Sequence, residues 1–380
     1  MIFTNARVIY PDGIRDGLEI LCSEGRISDI RFVGKLQTAT ALDLGGNYLA
    51  PGFIDLHLHG AVGRDTMEAS PEAFRAICDY HASGGTTSLL LTTATAPLAE
   101  IVKVLRAVNA CHGQLPQIAG VHVEGPFISR ERAGAQRAEF IVNPEPGSVG
   151  QLLEYADVIK RVTLAPELPG ALDAIDRFRA ADIAVSGGHS DAWDEDARRA
   201  FEHGMRHATH TFNCMSSARR RDGERVAGLL EFALSEPEMM CELIADGHHV
   251  SATLMKMLYR AKGAAGICLV TDATAGAGLG DDLSFTLGGR DCIVAGGACW
   301  LADRSALAGS AARMIDLIRT MVREVGVPLF EAIGMASANP ARALGLSGKG
   351  IIAVGAEADL VVLSPELEVL QTFVAGRRVV

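Results

Sequence analysis

Two histidines separated by a single residue are the first part of the sequence that could do chemistry. His57 and His59 lie in an apolar run that predicts a β-strand over residues 53–59. Because side chains alternate along a strand, both imidazoles are expected to point the same way. A lone buried histidine is most often an ordinary core residue, but a pair at this spacing at a strand end indicates metal ligands.

Four more polar residues stand at the ends of other predicted strands. They follow the third, fifth, sixth and eighth strands and are Glu124, His189, His210 and Asp272. Borderline metals such as zinc and iron bind histidine and carboxylate groups. The six residues together predict a centre for a divalent metal, Zn or Fe. The alternative is a set of unrelated polar core residues.

Asp272 is expected to have a different task from the ligands. A metal lowers the pKa of a water that it binds, and a neighbouring carboxylate can take up the proton and later deliver it to a leaving group. This makes Asp272 the candidate catalytic residue. Its alternatives are a further metal ligand or a helix N-cap.

Eight apolar β runs carry these residues, and helical segments separate them. The runs cover 53–59, 86–91, 118–124, 162–165, 183–187, 207–211, 240–245 and 267–271. This alternation predicts an α/β fold, a (β/α)8 TIM-like barrel, in which active sites lie at the carboxyl ends of the strands. A doubly wound open sheet is the competing fold.

Both ends of the chain read as short strands bounded by turn residues. We therefore expect a small β-sandwich domain built from both chain termini. The expected division is 1–50 and 344–380 for the β-sandwich and 51–343 for the barrel.

Composition excludes some partners. The 380 residues include 35 Lys and Arg against 46 Asp and Glu, a net charge of -11, so no basic field is available for nucleic acid or an anionic membrane. Eight scattered cysteines indicate a reducing compartment, and from the apolar pattern we expect neither a signal peptide nor a membrane-spanning segment. The expected location is the cytoplasm.

The motifs resemble those of a known family. Residues 51–60, PGFIDLHLHG, and residues 358–362, ADLVV, resemble the amidohydrolase superfamily. Within it, the chain is similar to N-acetylglucosamine-6-phosphate deacetylases along nearly its whole length. The narrower resemblance comes from an ordered set of motifs, at 122–127, 188–190, 209–213, 244–249, 270–275 and 307–310.

This resemblance implies a reaction and a ligand set. The reaction is hydrolysis of N-acetylglucosamine 6-phosphate to glucosamine 6-phosphate and acetate. Glu124, His189 and His210 would hold one divalent ion, and Asp272 would be the general acid and base. Because His57 and His59 are both present, a second ion bridged by Glu124 is compatible with the sequence.

The resemblance also implies a substrate pocket and a homodimer. His249 matches a phosphate-binding histidine that reaches the active site of the neighbouring subunit. In the run 219–221, Arg221 matches a phosphate-binding arginine, with Arg220 or a solvated loop as alternatives. The full set implied for substrate binding is Ala135, Gln136, Asn213, Cys214, Arg221, His249, Leu307, Ala308 and Gly309.

Two positions depart from the family pattern. Gln136 stands where the family commonly has a histidine beside the acetamide, and Cys214 stands where it has an alanine. Glutamine can donate a hydrogen bond but cannot become cationic. The galactosamine epimer, or a different acylated amine or cyclic amide, therefore stays open as substrate. A catalytically silent sugar-phosphate-binding protein is a further alternative.

Overall fold

A computed structural model describes residues 1–33, 41–111 and 113–380. Within them, the middle of the chain forms a parallel sheet of eight strands, and the two ends together form a mixed sheet of eight strands. None of the described helices combines the length and apolar character needed to cross a bilayer. The cytoplasmic location stays a prediction.

The strands, in chain order, are β1 (Ile2–Tyr10), β2 (Gly13–Ser23), β3 (Arg26–Phe32), β4 (Ala41–Asp43), β5 (Tyr48–Pro51), β6 (Phe53–Leu58), β7 (Gly60–Ala61), β8 (Arg64–Asp65), β9 (Thr86–Thr93), β10 (Ile118–Glu124), β11 (Ile159–Leu164), β12 (Ala184–Gly187), β13 (His207–Ala208), β14 (Arg219–Arg221), β15 (Glu224–Val226), β16 (Met240–Leu243), β17 (Ile267–Leu269), β18 (Ser284–Leu287), β19 (Arg290–Ala295), β20 (Ala298–Leu301), β21 (Leu360–Leu363), β22 (Val369–Val374) and β23 (Arg377–Arg378). The α-helices are α1 (Pro71–Ala82), α2 (Leu98–Ala110), α3 (Pro146–Leu153), α4 (Ala171–Ala180), α5 (Asp194–His203), α6 (Leu229–Ser235), α7 (Ala252–Lys262), α8 (Met314–Thr320), α9 (Leu329–Ala336) and α10 (Ala338–Ala343).

The eight predicted β runs are the strands of the barrel. The pairing order is β6, β9, β10, β11, β12, β13, β16 and β17, all parallel. The ends of β17 and β6 approach each other where the Asp272 N–H donates to the His57 carbonyl at 2.8 Å and Leu58 bridges Ala273. The predicted barrel is confirmed.

Helix α1 begins where the local sequence predicts. Ser70 precedes α1, and its side chain accepts a hydrogen bond from the Ala73 N–H at 3.2 Å, while Pro71 occupies the first turn. A serine N-cap followed by proline is a favourable helix start, because proline has no N–H to leave unpaired.

The terminal strands form the predicted second unit. β5 pairs with β21 in antiparallel fashion, so residues about 50 and 360 of the chain share one sheet. Phe3 and Phe373 pack edge to face in its apolar core, with ring centroids 5.0 Å apart. The expected small β domain is present. Hydrogen bonds join its eight strands into a single mixed sheet, not into two separate sheets. The division at 50/51 and 343/344 stays a prediction.

Besides the two-residue strands β7 and β8, which pair with each other after the first barrel strand, two further small β elements are additions to the expected fold. β18, β19 and β20 form an antiparallel sheet after the last barrel strand, and β14 pairs with β15 in a hairpin. Each strand has only three to six residues. Gly288 and Gly289 sit in one turn of the three-stranded sheet, and Gly296 and Gly297 sit in the other, so the segment resembles a loop in sequence.

Candidate active site

Glu124, the last residue of β10, lies at the centre of a buried group of histidines. Its Oε1 is 3.2 Å from Nε2 of both His189 and His210 and 3.3 Å from His57 Nε2. Its Oε2 is 3.2 Å from His59 Nε2. The ends of barrel strands one, three, five and six therefore bring these five side chains together.

The five side chains have the arrangement that a divalent metal requires. They form two overlapping groups of three, His57 with His59 and Glu124, and Glu124 with His189 and His210, with the ligand atoms of each group within 4.8 Å of one another. The Nε2 atoms of His189 and His210 are 3.0 Å apart, close to the roughly 3.3 Å between two nitrogens bound tetrahedrally to one zinc ion. His57 Nε2 is buried and makes no hydrogen bond within the described residues. These groups fit a divalent metal.

The electric field at the cluster favours positive charge. Burial alone would lower the pKa of the His59 imidazole, but the carboxylates of Asp272 and Glu124 outweigh burial and raise that pKa to about 9. The two carboxylates that stabilise a proton on His59 would also attract a divalent cation.

Three of the site residues have an unusual backbone. His189, His210 and Asp272 have φ angles of 46°, 28° and 48°, a region that residues other than glycine seldom adopt. Hydrogen bonds hold these turns: the Ser129 N–H donates to the His189 carbonyl and the Ser310 N–H donates to the Asp272 carbonyl, each at 2.8 Å. Strained backbone of this kind is concentrated at functional sites in proteins.

Asp272 faces both the histidines and the cavity. Its Oδ1 lies 3.3 Å from His59 Nε2 and 3.6 Å from His57 Nε2, and its side chain is 13% exposed. A Cβ atom at Gly309 would come within 2.5 Å of the Asp272 carbonyl oxygen, so the close approach of the two segments requires glycine. The carboxylate therefore lies between the candidate metal-binding side chains and the cavity.

A cavity of about 230 Å³ opens above the cluster. It is smaller than the roughly 300–1,000 Å³ typical of pockets for drug-sized ligands, so it suits a small molecule. Besides members of the histidine cluster and Asp272, its walls contain Gly134, Ala135, Gln136, Asn213, Cys214, His249, Leu287, Ala306, Leu307 and Gly309. Ala308 is buried behind the wall, where its carbonyl accepts a hydrogen bond from the Thr274 hydroxyl. Sequence reasoning missed Gly134, Leu287 and Ala306.

Gln136 contacts the cluster as well as the cavity. Its Oε1 accepts from the Thr95 N–H at 2.7 Å, and its Nε2 donates to Glu124 Oε2 at 2.6 Å. A backbone N–H can only donate and a carboxylate can only accept, so these two partners fix the orientation of the amide. Gln136 therefore holds the central carboxylate, a role that its position in the sequence did not predict.

The position of His249 corrects one expectation. His249 was expected to reach the active site of a neighbouring subunit, but it lines the cavity of its own chain. The carboxylate of Asp246 accepts from the backbone N–H groups of His248 and His249 and lies 2.8 Å from His249 Nδ1. This turn folds the side chain back into its own barrel.

Arg221 lies outside the cavity of its own chain. Its guanidinium donates to both carboxylate oxygens of Glu195, at 2.9 and 2.8 Å, and lies 4.6 Å from the centre of the Trp193 ring. Arg220 donates to the Gly223 carbonyl within the same hairpin. Neither arginine joins the cluster or the cavity walls.

A buried ion pair below the histidines was missed. Arg161 of β11 lies 2.5 Å from Glu242 of β16, and both side chains are at most 1% exposed. Burial opposes ionisation of Glu242, but the charge of Arg161 together with His57 and the hydrogen bond from the His210 N–H outweighs burial and lowers the pKa of that carboxyl to about 2. Their signal in the sequence is a charged residue inside each of two apolar strands.

The comparisons with known proteins agree with this geometry. Residues 48–379 match the family model described as "Amidohydrolase family". An N-acetylglucosamine-6-phosphate deacetylase of Lysinibacillus sphaericus is 34% identical over 99% of this chain and 97% of its own length. An N-acetylgalactosamine-6-phosphate deacetylase of Escherichia coli O157:H7 is 33% identical over 98% and 97%.

A solved structure extends the similarity to the fold. It is a mutant N-acetyl-D-glucosamine-6-phosphate deacetylase from Mycobacterium smegmatis in complex with N-acetyl-D-glucosamine-6-phosphate, with a TM-score of 0.93 and 31% identity over 100% of this chain and 99% of that one. The match includes the barrel and the terminal sheet alike. The chain therefore belongs to the amidohydrolase superfamily and, within it, to the N-acetylglucosamine-6-phosphate deacetylase family.

Proposed function

We propose that this chain hydrolyses the N-acetyl group of N-acetylglucosamine 6-phosphate to give glucosamine 6-phosphate and acetate. The observation that carries the proposal is the position of Asp272, between a buried His and Glu cluster and a small cavity. A full-length relative described as having this activity, 34% identical to this chain, supports the choice of substrate.

The residues divide into metal-holding and proton-moving groups. Glu124, His189 and His210 would hold one divalent ion, with Zn or Fe preferred for this donor set, and His57 and His59 would hold a second with Glu124. A bound metal polarises the acetamide carbonyl and acidifies water. Asp272 takes the proton from the attacking water and gives it to the departing nitrogen of the amino sugar.

The cavity walls would bind the sugar phosphate. His249 and Asn213 offer polar side chains, and Leu307 and Gly309 would form an apolar wall with Ala135, backed by the buried Ala308. The Cys214 sulfur lies against Gly134, where an added Cβ would come within 2.5 Å of it. Gln136 can direct its remaining amide hydrogen at a ligand while it holds Glu124.

The galactosamine epimer is a second candidate substrate. One full-length relative at 33% identity is an N-acetylgalactosamine-6-phosphate deacetylase, and Gln136 and Cys214 differ from the usual residues of the glucosamine family. The two substrates differ only in the orientation of one hydroxyl, which the cavity wall must distinguish.

Acetate release by the purified, metal-analysed protein tests the proposal. We expect faster release from N-acetylglucosamine 6-phosphate than from its galactosamine epimer and much slower release from the unphosphorylated sugar. Faster release from the epimer would favour the second candidate. A metal-loaded protein that releases acetate from none of them would refute both.

We also propose a homodimer in which Arg221 contributes to phosphate binding. The Arg221 side chain is 37% exposed and lies outside the cavity of its own chain; in the homodimer that the family resemblance implies, it would act on the cavity of the second copy. Arg221→Ala is expected to raise KM about tenfold for the phosphorylated sugar, with little change for the unphosphorylated one.

Mixing two variants distinguishes an Arg221 that acts across subunits from one that acts within its own chain. A mixed dimer of Arg221→Ala and Asp272→Asn chains contains one cavity with an intact Asp272 that faces an intact Arg221. We expect part of the activity of the mixture to show the low KM of the unchanged chain. If mixing leaves the kinetics equal to those of Arg221→Ala alone, Arg221 does not act across subunits.

A further inference from the structure

A pair of opposite charges lies inside the barrel below the metal ligands, and the reaction described above does not use it. Arg161 Nη1 and Glu242 Oε1 are 2.5 Å apart, and their side chains are 0% and 1% exposed. Removing two charges from water is costly, and apolar residues of similar size commonly serve stability as well or better. The pair therefore calls for a role other than stability.

The contacts of the second carboxylate oxygen of Glu242 indicate what that role is. Oε2 accepts a hydrogen bond from the His210 backbone N–H at 3.0 Å and lies 3.3 Å from His57 Nδ1. His57 and His210 belong to different groups of the two that share Glu124. One oxygen atom therefore contacts a member of each half of the centre.

Each contact constrains the ligand that it reaches. When a carboxylate accepts from His57 Nδ1, the hydrogen is held on that nitrogen, and Nε2 directs its lone pair at the cluster. At His210 the contact is to the backbone, where φ is 28°. The Glu242 main-chain carbonyl also accepts from the Thr211 N–H at 2.9 Å, so Glu242 holds both sides of this strained turn.

A chain of hydrogen bonds fixes the arginine and closes back on the cluster. Arg161 Nη2 donates to Ser186 Oγ at 2.9 Å. From Ser186 the chain continues through the hydroxyls of Thr209 and Thr163 to His122 Nε2, with distances of 2.5, 2.8 and 2.7 Å. The His122 ring packs edge-on against His57, with centroids 4.5 Å apart. Glu242 is thus held by a buried network rather than by one contact.

We propose that Glu242, with its charge balanced by Arg161, is a positioning residue that couples the two halves of the metal centre. The inference rests on the proposed function only in treating the cluster as metal-binding. Loss of the carboxylate charge is expected to weaken metal binding at both halves, because His57 and His210 lose their common partner.

Zinc titration of metal-stripped protein tests this without reference to turnover. Glu242→Gln and the double variant Arg161→Met/Glu242→Gln are compared with the unchanged chain. The double variant leaves no unpaired buried charge, so it remains informative if the single variant does not fold. We expect zinc affinity to fall about 10- to 100-fold and the visible spectrum of the Co²⁺-loaded protein to change.

The matched control is Asp359→Asn. Asp359 is buried and 2.7 Å from Lys349, but it directly precedes β21 of the terminal sheet, away from the cluster. This variant should lose thermal stability and keep the zinc affinity and Co²⁺ spectrum of the unchanged chain. An equal loss of affinity in the control would overturn the proposal, because it would mean that destabilisation alone weakens metal binding.

Two further outcomes separate this inference from the proposed function. A folded double variant with the zinc affinity and Co²⁺ spectrum of the unchanged chain overturns the role of Glu242 alone. An unchanged chain that binds no zinc overturns the metal centre and, with it, both proposals.

Discussion

At the scale of single residues, Asp272 combines two properties that the ligands do not share. Its carboxylate is within 3.6 Å of both His57 and His59, yet 13% of its side chain is open to the cavity. Its backbone is held in the left-handed region by bonds to His57 and Ser310. A carboxylate that contacts the metal-binding side chains and also reaches a molecule in the cavity can move a proton between the metal centre and that molecule.

We predict that Asp272→Asn binds metal and substrate but loses turnover. The amide keeps the size of the side chain and its hydrogen bonds, but it cannot accept a proton, so kcat should fall by about 10²- to 10⁴-fold. Steady-state kinetics with metal analysis of the same sample checks this. A variant with nearly full turnover would remove Asp272 from proton transfer, and one without metal would make it a ligand.

Which residues could be predicted from the sequence depended on the signal that each carries. His57 and His59 stand out by spacing, and Glu124, His189 and His210 stand out by their positions at strand ends. The hydrogen bond from Gln136 to Glu124 could not be predicted, because it depends on a loop that returns to the strand end. The ion pair that places Arg221 on Glu195 also depends on tertiary contacts, between a hairpin and α5.

At the scale of elements, the helices around the barrel also support the strand ends that carry the site. His81, in the last turn of α1, is fully buried, and its Nε2 is 3.2 Å from the carbonyl of Gly60, next to His59. Burial lowers the pKa of the His81 imidazole to about 4. The folded chain therefore keeps the His81 imidazole in its neutral form.

We predict that His81 makes the fold sensitive to acid. The unfolded chain binds a proton near pH 6.5 and the folded chain only near pH 4, so the stability contribution is full above pH 6.5 and is lost as the pH falls towards 4. His81→Gln should reduce the dependence of the unfolding free energy on pH by about 1.4 kcal/mol per pH unit in that window. Urea unfolding at several pH values measures it.

A His81→Gln variant with the pH dependence of the unchanged chain would contradict the assignment.

Predictability also differs among the elements. The barrel strands are buried on both faces, so each gives a run of apolar residues that the sequence shows directly. β18 to β20 have short strands with a glycine pair in each turn, and β13 has only two residues. Such elements are stabilised by their surroundings rather than by local pattern, and this is why the inserted sheet was missed.

At the scale of the whole molecule, a metal would join four barrel strands at one point. Glu124, His57, His189 and His210 come from separate βα units, and the unfolded chain holds them far apart. A ligand that binds only the folded state stabilises that state by mass action.

We predict that removal of metal lowers Tm. At a free metal concentration of a hundred times Kd, the stabilisation is about 2.7 kcal/mol, which corresponds to about 3 °C for a chain of 380 residues. Thermal unfolding with and without a chelator checks this, followed by re-addition of zinc. In Glu124→Gln, which alters the shared ligand, the chelator should have little effect; a full shift there would mean that the metal binds elsewhere.

The pairing of β5 with β21 has a consequence for synthesis. About 310 residues separate the two strands, so at about 5–20 residues per second the ribosome needs about 15 to 60 seconds to supply β21. During that time one edge of β5 can pair with β1, but the edge that faces β21 has no native partner. The nascent chain therefore depends on rapid folding of the barrel, or on a chaperone, to protect this edge from pairing with another chain on the same messenger.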